Sequence, residues 1–221
     1  MVGVGSDLAS NAQVLALAEK YPSFVYPALG LHPWELARAS LPQVLAWVEE
    51  NLGRGLGVGE IGLDYDRRVL KQVGPEAQQA AFRQFLALAQ KHRKPALVHC
   101  RFAWKDCLRL VREAGIERAL FHWFAGPPPV LEEVLSLGHF ISATPAAEYQ
   151  PDHRRALALA PLDRVLLETD APVEYGRGER YQARLAHLVR SLNALAEIKG
   201  LPPQEIAQTT TDNARRFFGL L

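Results

Sequence analysis

Ala96-Leu97-Val98-His99-Cys100-Arg101 is a short apolar run that ends in polar residues, and Phe102–Ala114 follows it with helical spacing. An apolar run this short, without alternation, suits a strand covered on both faces, as in a parallel sheet. The same unit recurs in both directions along the chain. Strands are expected at Val2–Gly5, Phe24–Leu29, Leu56–Gly59, Ala96–His99, Ala119–Phe121, Phe140–Ala143 and Val165–Glu168. Helices are expected at Asp7–Lys20, Leu41–Asn51, Glu76–Lys91, Phe102–Ala114, Pro129–Leu137, Asp152–Leu159, Tyr181–Lys199 and Pro203–Phe218. In the first of these, Leu8, Val14, Leu15, Leu17 and Ala18 form an apolar stripe, and Asp7 stands where an N-cap belongs. Regular β-then-α alternation implies an α/β fold with a parallel sheet, closed or open. Seven strands are counted, against the eight of a closed barrel. No internal repeat or linker interrupts the pattern, so one domain over residues 1–221 is expected.

Composition excludes several classes. With 22% charged and 48% hydrophobic residues the chain is an ordinary globular one. Its net charge of +1 provides no global field for a polyanion, so such a substrate would be drawn by a local site. Two cysteines, Cys100 and Cys107, cannot build a disulfide framework and read as buried thiols. No signal-peptide pattern opens the chain, and no apolar run approaches the ~20 residues of a membrane-spanning helix. A cytoplasmic location without membrane contact is expected.

In parallel barrels, chemistry sits at the C-terminal ends of strands. Those places carry Gly30-Leu31-His32-Pro33, Gly59-Glu60-Ile61-Gly62-Leu63-Asp64-Tyr65, His99-Cys100-Arg101, Phe121-His122-Trp123-Phe124-Ala125-Gly126 and Leu167-Glu168-Thr169-Asp170-Ala171-Pro172. Taken singly, each His is a structural hydrogen-bonding residue, Glu60 a solvated loop carboxylate and Asp170 a helix cap or Asx turn. Successive strand ends nevertheless offer His, Glu, His, His and Asp, which together suit a divalent ion of hard or borderline character. His32 is the weaker member, because Gly30 and Pro33 also explain it as a turn. His92, His139, His153 and His187 read as packing or surface residues.

These strings resemble, in order, the signatures of the TatD-like metal-dependent deoxyribonuclease family. Asn213-Ala214-Arg215-Arg216-Phe217-Phe218-Gly219-Leu220 is similar to the family's last helix. The resemblance implies a TIM-type (β/α) barrel with divalent metal ions (Mg, Mn or Zn), one or two per chain. It also implies phosphodiesterase activity on DNA, with trimming of ends as the expected mode. By resemblance, Glu60 bridges two metals, His99 and His122 hold the second, and Asp170 binds the first and takes a proton from the attacking water. Glu60 and Asp170 are thus the catalytic candidates. The family also opens with a strand bearing His-x-His, and no His-x-His occurs in this sequence. Val2-Gly3-Val4-Gly5-Ser6-Asp7-Leu8 looks like the family's second strand and loop, so a barrel with seven of eight strands is expected. The alternatives are a shortened enzyme and a chain that has lost half the metal site.

Arg101 follows His99 directly, and Arg67, Arg68 and Lys105 are near in sequence. Guanidinium groups match phosphate bidentately, so Arg101, Arg67 and His32 are the substrate-binding candidates. Trp123 and Phe124 read as packing, with base stacking as the alternative. A metal-dependent hydrolase of another ester (an aminoacyl-RNA bond or a small phosphodiester) is the competing enzyme reading. The reading of another class is a weakened metal-binding remnant with an interaction role. A first strand with an unpaired edge also invites a homo-oligomer.

Overall fold

The computed structural model describes residues 1–220. Seven strands follow one another in chain order within one sheet. The pairs β1–β2 and β2–β3 are parallel, from Val2–Val4 (β1), Tyr26–Leu29 (β2) and Gly57–Asp64 (β3). β3 is also parallel to Ala96–Arg101 (β4). Ala119–Phe121 (β5) is followed by the parallel pair Phe140–Ala143 (β6) and Val165–Leu167 (β7). The chain divides into two compact units, residues 1–120 and 121–221.

In the first unit the strands alternate with Leu8–Lys20 (α1), Leu41–Asn51 (α2), Arg67–Leu70 (α3), Pro75–Lys91 (α4) and Trp104–Glu113 (α5). Leu29, Val58, Ile61, Leu63 and Val98 are fully buried, as are Leu86 and Ala89 of α4, the helix that packs on β3. Each such Leu, Ile or Val side chain contributes about 1.5–3 kcal/mol of burial. The expected N-cap is present: Asp7 Oδ1 accepts the Ser10 amide at 2.7 Å, and Ser10 Oγ returns the bond to the Asp7 amide at 2.9 Å. Buried Asn11 then ties α1 to the end of β2, donating to Gly30 O (2.7 Å) and accepting from Gly30 N (3.0 Å). That clamp sets the direction in which the chain leaves toward His32.

In the second unit, Pro128–Ser136 (α6) and Pro151–Leu159 (α7) flank β6. A small hairpin of Glu174–Tyr175 (β8) and Tyr181–Gln182 (β9) precedes Leu188–Lys199 (α8) and Pro203–Phe218 (α9). The expected helix Tyr181–Lys199 therefore begins late. Tyr181 and Gln182 pair with Tyr175 and Glu174 instead, and tertiary pairing overrides the local pattern. The strand expected at Leu56–Gly59 runs on to Asp64, which places Glu60 and Asp64 on the strand rather than in the loop after it. Phe24 lies outside β2, and Glu168 lies just beyond β7.

Two buried histidines belong to the packing of the second unit. His153 donates from Nδ1 to Phe124 O (2.8 Å) and accepts the Thr144 amide at Nε2 (3.3 Å). A second proton would meet that amide, and burial holds its imidazole down at about 4. Burial does the same to His139, also to about 4. The unfolded chain takes up these protons near the ordinary value of about 6.5, so stability is complete above that pH and declines as pH falls toward 4. Roughly 3 kcal/mol per histidine is at stake. Urea unfolding at about pH 7 and about pH 4.5 should show the loss, with a shallower decline in His139→Leu. Equal slopes in both proteins would contradict it.

Candidate metal centre and the groove beside it

The centre of the first unit starts from an irregularity in β3. Val58 pairs with Ala96 but Ile61 pairs with Val98, so β3 carries one extra residue in the segment that holds Glu60. Such a bulge re-aims a side chain and is common beside active sites. The Glu60 amide is secured by Gly5 O at 3.0 Å. Its carboxylate lies 3.0 Å from His99 Nδ1 and 3.4 Å from His32 Nε2. His32, Glu60 and His99 each offer a ligand atom, all within 4.8 Å of one another, and form a group able to hold a metal ion.

Asp64, two pleats beyond Glu60, faces the other nitrogen of His99, with Oδ2 at 3.1 Å from Nε2. Burial alone would push this carboxyl up, but the bonds from His99, Trp34 and the Asp66 amide outweigh it and hold it down at about 2. Trp34 Nε1 donates to Asp64 Oδ2 at 2.5 Å and the Asp66 amide donates to Oδ1 at 2.8 Å. Gln78 of α4 anchors the strand end itself, accepting the Asp64 amide and donating to the Asp64 carbonyl. Asp64 is thus an ionised carboxylate that keeps hydrogen on His99 Nε2 and turns the Nδ1 lone pair toward Glu60, as carboxylates behind metal-binding histidines do. His32 is oriented differently. Its Nδ1 accepts the Trp34 amide at 3.2 Å, so the neutral ring carries its hydrogen on Nε2, toward Glu60.

His122 and Asp170 belong to the second unit. His122 Nδ1 lies 3.5 Å from Glu168 Oε1. The same oxygen accepts Ser142 Oγ at 2.6 Å and the Trp123 amide at 3.2 Å, while Ser191 Oγ bonds the Glu168 carbonyl. Asp170 follows with φ 48°, and Trp123 has φ 44°. Left-handed backbone at a non-glycine residue stands at about 1–3 kcal/mol of strain and clusters at functional sites. Phe124 is fully buried, and the Trp123 indole is bonded to Gln150 and packed near Tyr175, so both serve packing.

Among the substrate candidates, Arg101 donates to Asp66 Oδ2 at 2.9 Å, and Arg68 donates from Nε to Asp66 Oδ1 at 3.0 Å. Arg67 is exposed at the start of α3, and Lys105 is exposed on α5. A groove of about 270 Å³ lies among Trp34, Arg38, Asp66, Arg68, Val69 and Arg101. Cys100 and Cys107 are buried thiols, and Cys107 Sγ points at His99 O (3.7 Å). Burial, and then the neighbouring Cys107, push the Cys100 thiol well up. Sequence reasoning gives no role to Asp64 or Glu168, which stand only within the motifs, and does not single out Trp34 or Arg38. A carboxylate four residues from Glu60 or two before Asp170 was a signal for the first two; only three-dimensional register makes it specific.

A protein-family model described as TatD related DNase matches residues 1–219. A 3'-5' ssDNA/RNA exonuclease TatD from Pectobacterium atrosepticum is 32% identical, over 98% of this chain and 86% of its own. A metal-dependent hydrolase named YabD from Bacillus subtilis is 30% identical, over 99% and 86%. The crystal structure of YJJV, a TATD homolog from Escherichia coli K12, superposes with a TM-score of 0.89 at 31% identity, covering 99% of this chain and 85% of that one. That likeness, with seven strands in chain order, bears out the expected TIM-type α/β fold.

Proposed function

The chain belongs to the TatD-related DNase family, and from that premise we propose that it is a divalent-metal-dependent hydrolase of phosphodiester bonds acting on DNA. The observation that carries this is the Glu60–His99 pair backed by Asp64. Two ligand atoms about 2.1 Å from one ion lie about 3.0–3.4 Å apart, the spacings seen around Glu60 Oε1. A bound divalent ion (Mg, Mn or Zn, one or two per chain) would polarise the phosphate and lower the pKa of an attacking water. Glu60 and His99 are the proposed ligands of the first unit, and His122 and Asp170 are proposed as ligands on the family resemblance, each within its own unit.

The chain's own residues divide the remaining work. Asp64 fixes the His99 tautomer, and Glu168 lies 3.5 Å from His122 Nδ1. His32, the third member of the metal-capable group, is proposed to contact a substrate oxygen from Nε2. Asp170 takes the proton of the attacking water, and Glu60 shares the catalytic role. Arg101, together with Arg67, orients the phosphodiester, its guanidinium set by Asp66. Among the described residues no helix is long and apolar enough to cross a membrane, and a cytoplasmic setting is proposed. β1 stands at the end of the strand order with Met1 and Val4 exposed, which supports pairing with a second copy; a monomeric mass in light scattering would exclude that.

The test is to supply a chelator-stripped preparation with Mg, Mn or Zn and follow a single-stranded DNA oligonucleotide, with elemental analysis of bound metal. Cleavage that depends on the added ion is the expected result. Metal bound without cleavage of DNA would point to another ester.

A further inference from the structure

Trp34 is an unusual surface residue. Its indole is half exposed (50%), yet its ring nitrogen is fastened to the buried Asp64 carboxylate. Its ring centroid lies 5.0 Å from that of His32 and 6.3 Å from that of His99. A large aromatic face is thereby held rigid and open beside the candidate ligands. Rigid exposed aromatics are the platforms on which unstacked bases lie.

The groove next to that face carries three guanidinium groups, Arg38, Arg68 and Arg101, against two carboxylates, Asp66 and Glu35. Asp66 pairs with both Arg68 and Arg101, and those bonds lower its own pKa. Each guanidinium keeps further N–H donors after pairing. Arg38 is exposed on the same groove and enters no ion pair among the described residues. Val69 adds an apolar contact to the floor. An aromatic face, three guanidinium groups and a concavity of about 270 Å³ suit one nucleotide with its base turned out, rather than a paired duplex.

We propose that this groove is a nucleotide subsite: a base of single-stranded nucleic acid stacks on Trp34 while Arg38, Arg68 and Arg101 take its phosphates, next to the phosphodiester that is cut. This deepens the proposed hydrolase reading and rests on it for the position of the scissile bond. Binding itself does not require turnover. Loss of base stacking on Trp34 should weaken binding about tenfold.

Fluorescence anisotropy of a labelled single-stranded oligonucleotide, with chelator present, tests this without hydrolysis. Trp34→Ala should raise the Kd about tenfold, and Trp34→Phe, which keeps a stacking face but loses the bond to Asp64, should recover most of it. A sugar–phosphate strand of equal length without bases should bind the unaltered protein weakly and be indifferent to Trp34→Ala. Arg38→Gln should reduce the slope of log Kd against log salt by about 0.7. Equal weakening of intact and base-free strands, or Phe no better than Ala, would assign Trp34 to holding Asp64 instead and overturn the subsite. No change, or no binding at all, would overturn it too, while the ion-dependent cleavage assay would still decide the hydrolase reading separately.

Discussion

Glu60→Gln is expected to lower hydrolysis of a DNA oligonucleotide by roughly a thousandfold, with little change in folding. The replacement keeps the shape of the side chain and one carbonyl oxygen, so the bulge of β3 and the Gly5 contact to the Glu60 amide persist. What disappears is the negative charge that two imidazoles face, at 3.0 Å and 3.4 Å. An amide is a poor ligand for a borderline divalent ion, and its NH₂ group would also confront the His32 donor. Side-by-side rates and metal content discriminate the roles. Loss of both identifies Glu60 as a ligand, loss of rate with metal retained assigns it to proton transfer or polarisation, and an unchanged rate would remove it from the chemistry.

Gly62→Ala should destabilise the protein by more than about 4 kcal/mol, enough to threaten folding altogether. Gly62 has φ 146°, and a Cβ there would stand 2.0 Å from His99 O, 2.9 Å from His99 C and 3.0 Å from His99 N. These are backbone atoms, which cannot rotate away as a side-chain tip can. Gly62 is also the register partner of His99. Relief would have to separate β3 from β4, the two strands that bring Glu60 and His99 together. Gly53→Ala is the matched control, since nothing lies within 4 Å of its added methyl. Thermal unfolding of the two variants gives the comparison, and a normal melting curve for Gly62→Ala would mean the strands can part without penalty.

Strand number and order were legible because two-sided burial leaves unalternating apolar runs such as Ala119–Phe121 and Phe140–Ala143, where expected and observed strands coincide. β3 was truncated in that reading because Gly59 and Gly62 resemble loop glycines. They are instead the places where neighbouring backbone comes too close for a side chain. Tyr181 was assigned to a helix because its pairing with Tyr175 is non-local. At the site, Glu60 and His99 could be nominated from their positions at strand ends. Asp64 could not be, because its link to His99 depends on a register shifted by the bulge. The likeness of His32 to a turn residue was half right: Gly30 is clamped by Asn11, and the same clamp delivers His32 to Glu60.

The two thiols have a use of their own. Cys100 stands between His99 and Arg101 on β4, and both it and Cys107 are sealed from solvent. With its thiolate strongly disfavoured by burial, Cys100 can react with an alkylating reagent only after β4 has opened. The rate of Cys100 alkylation is therefore a built-in clock for the opening of the strand that carries His99, obtained without introducing a new cysteine.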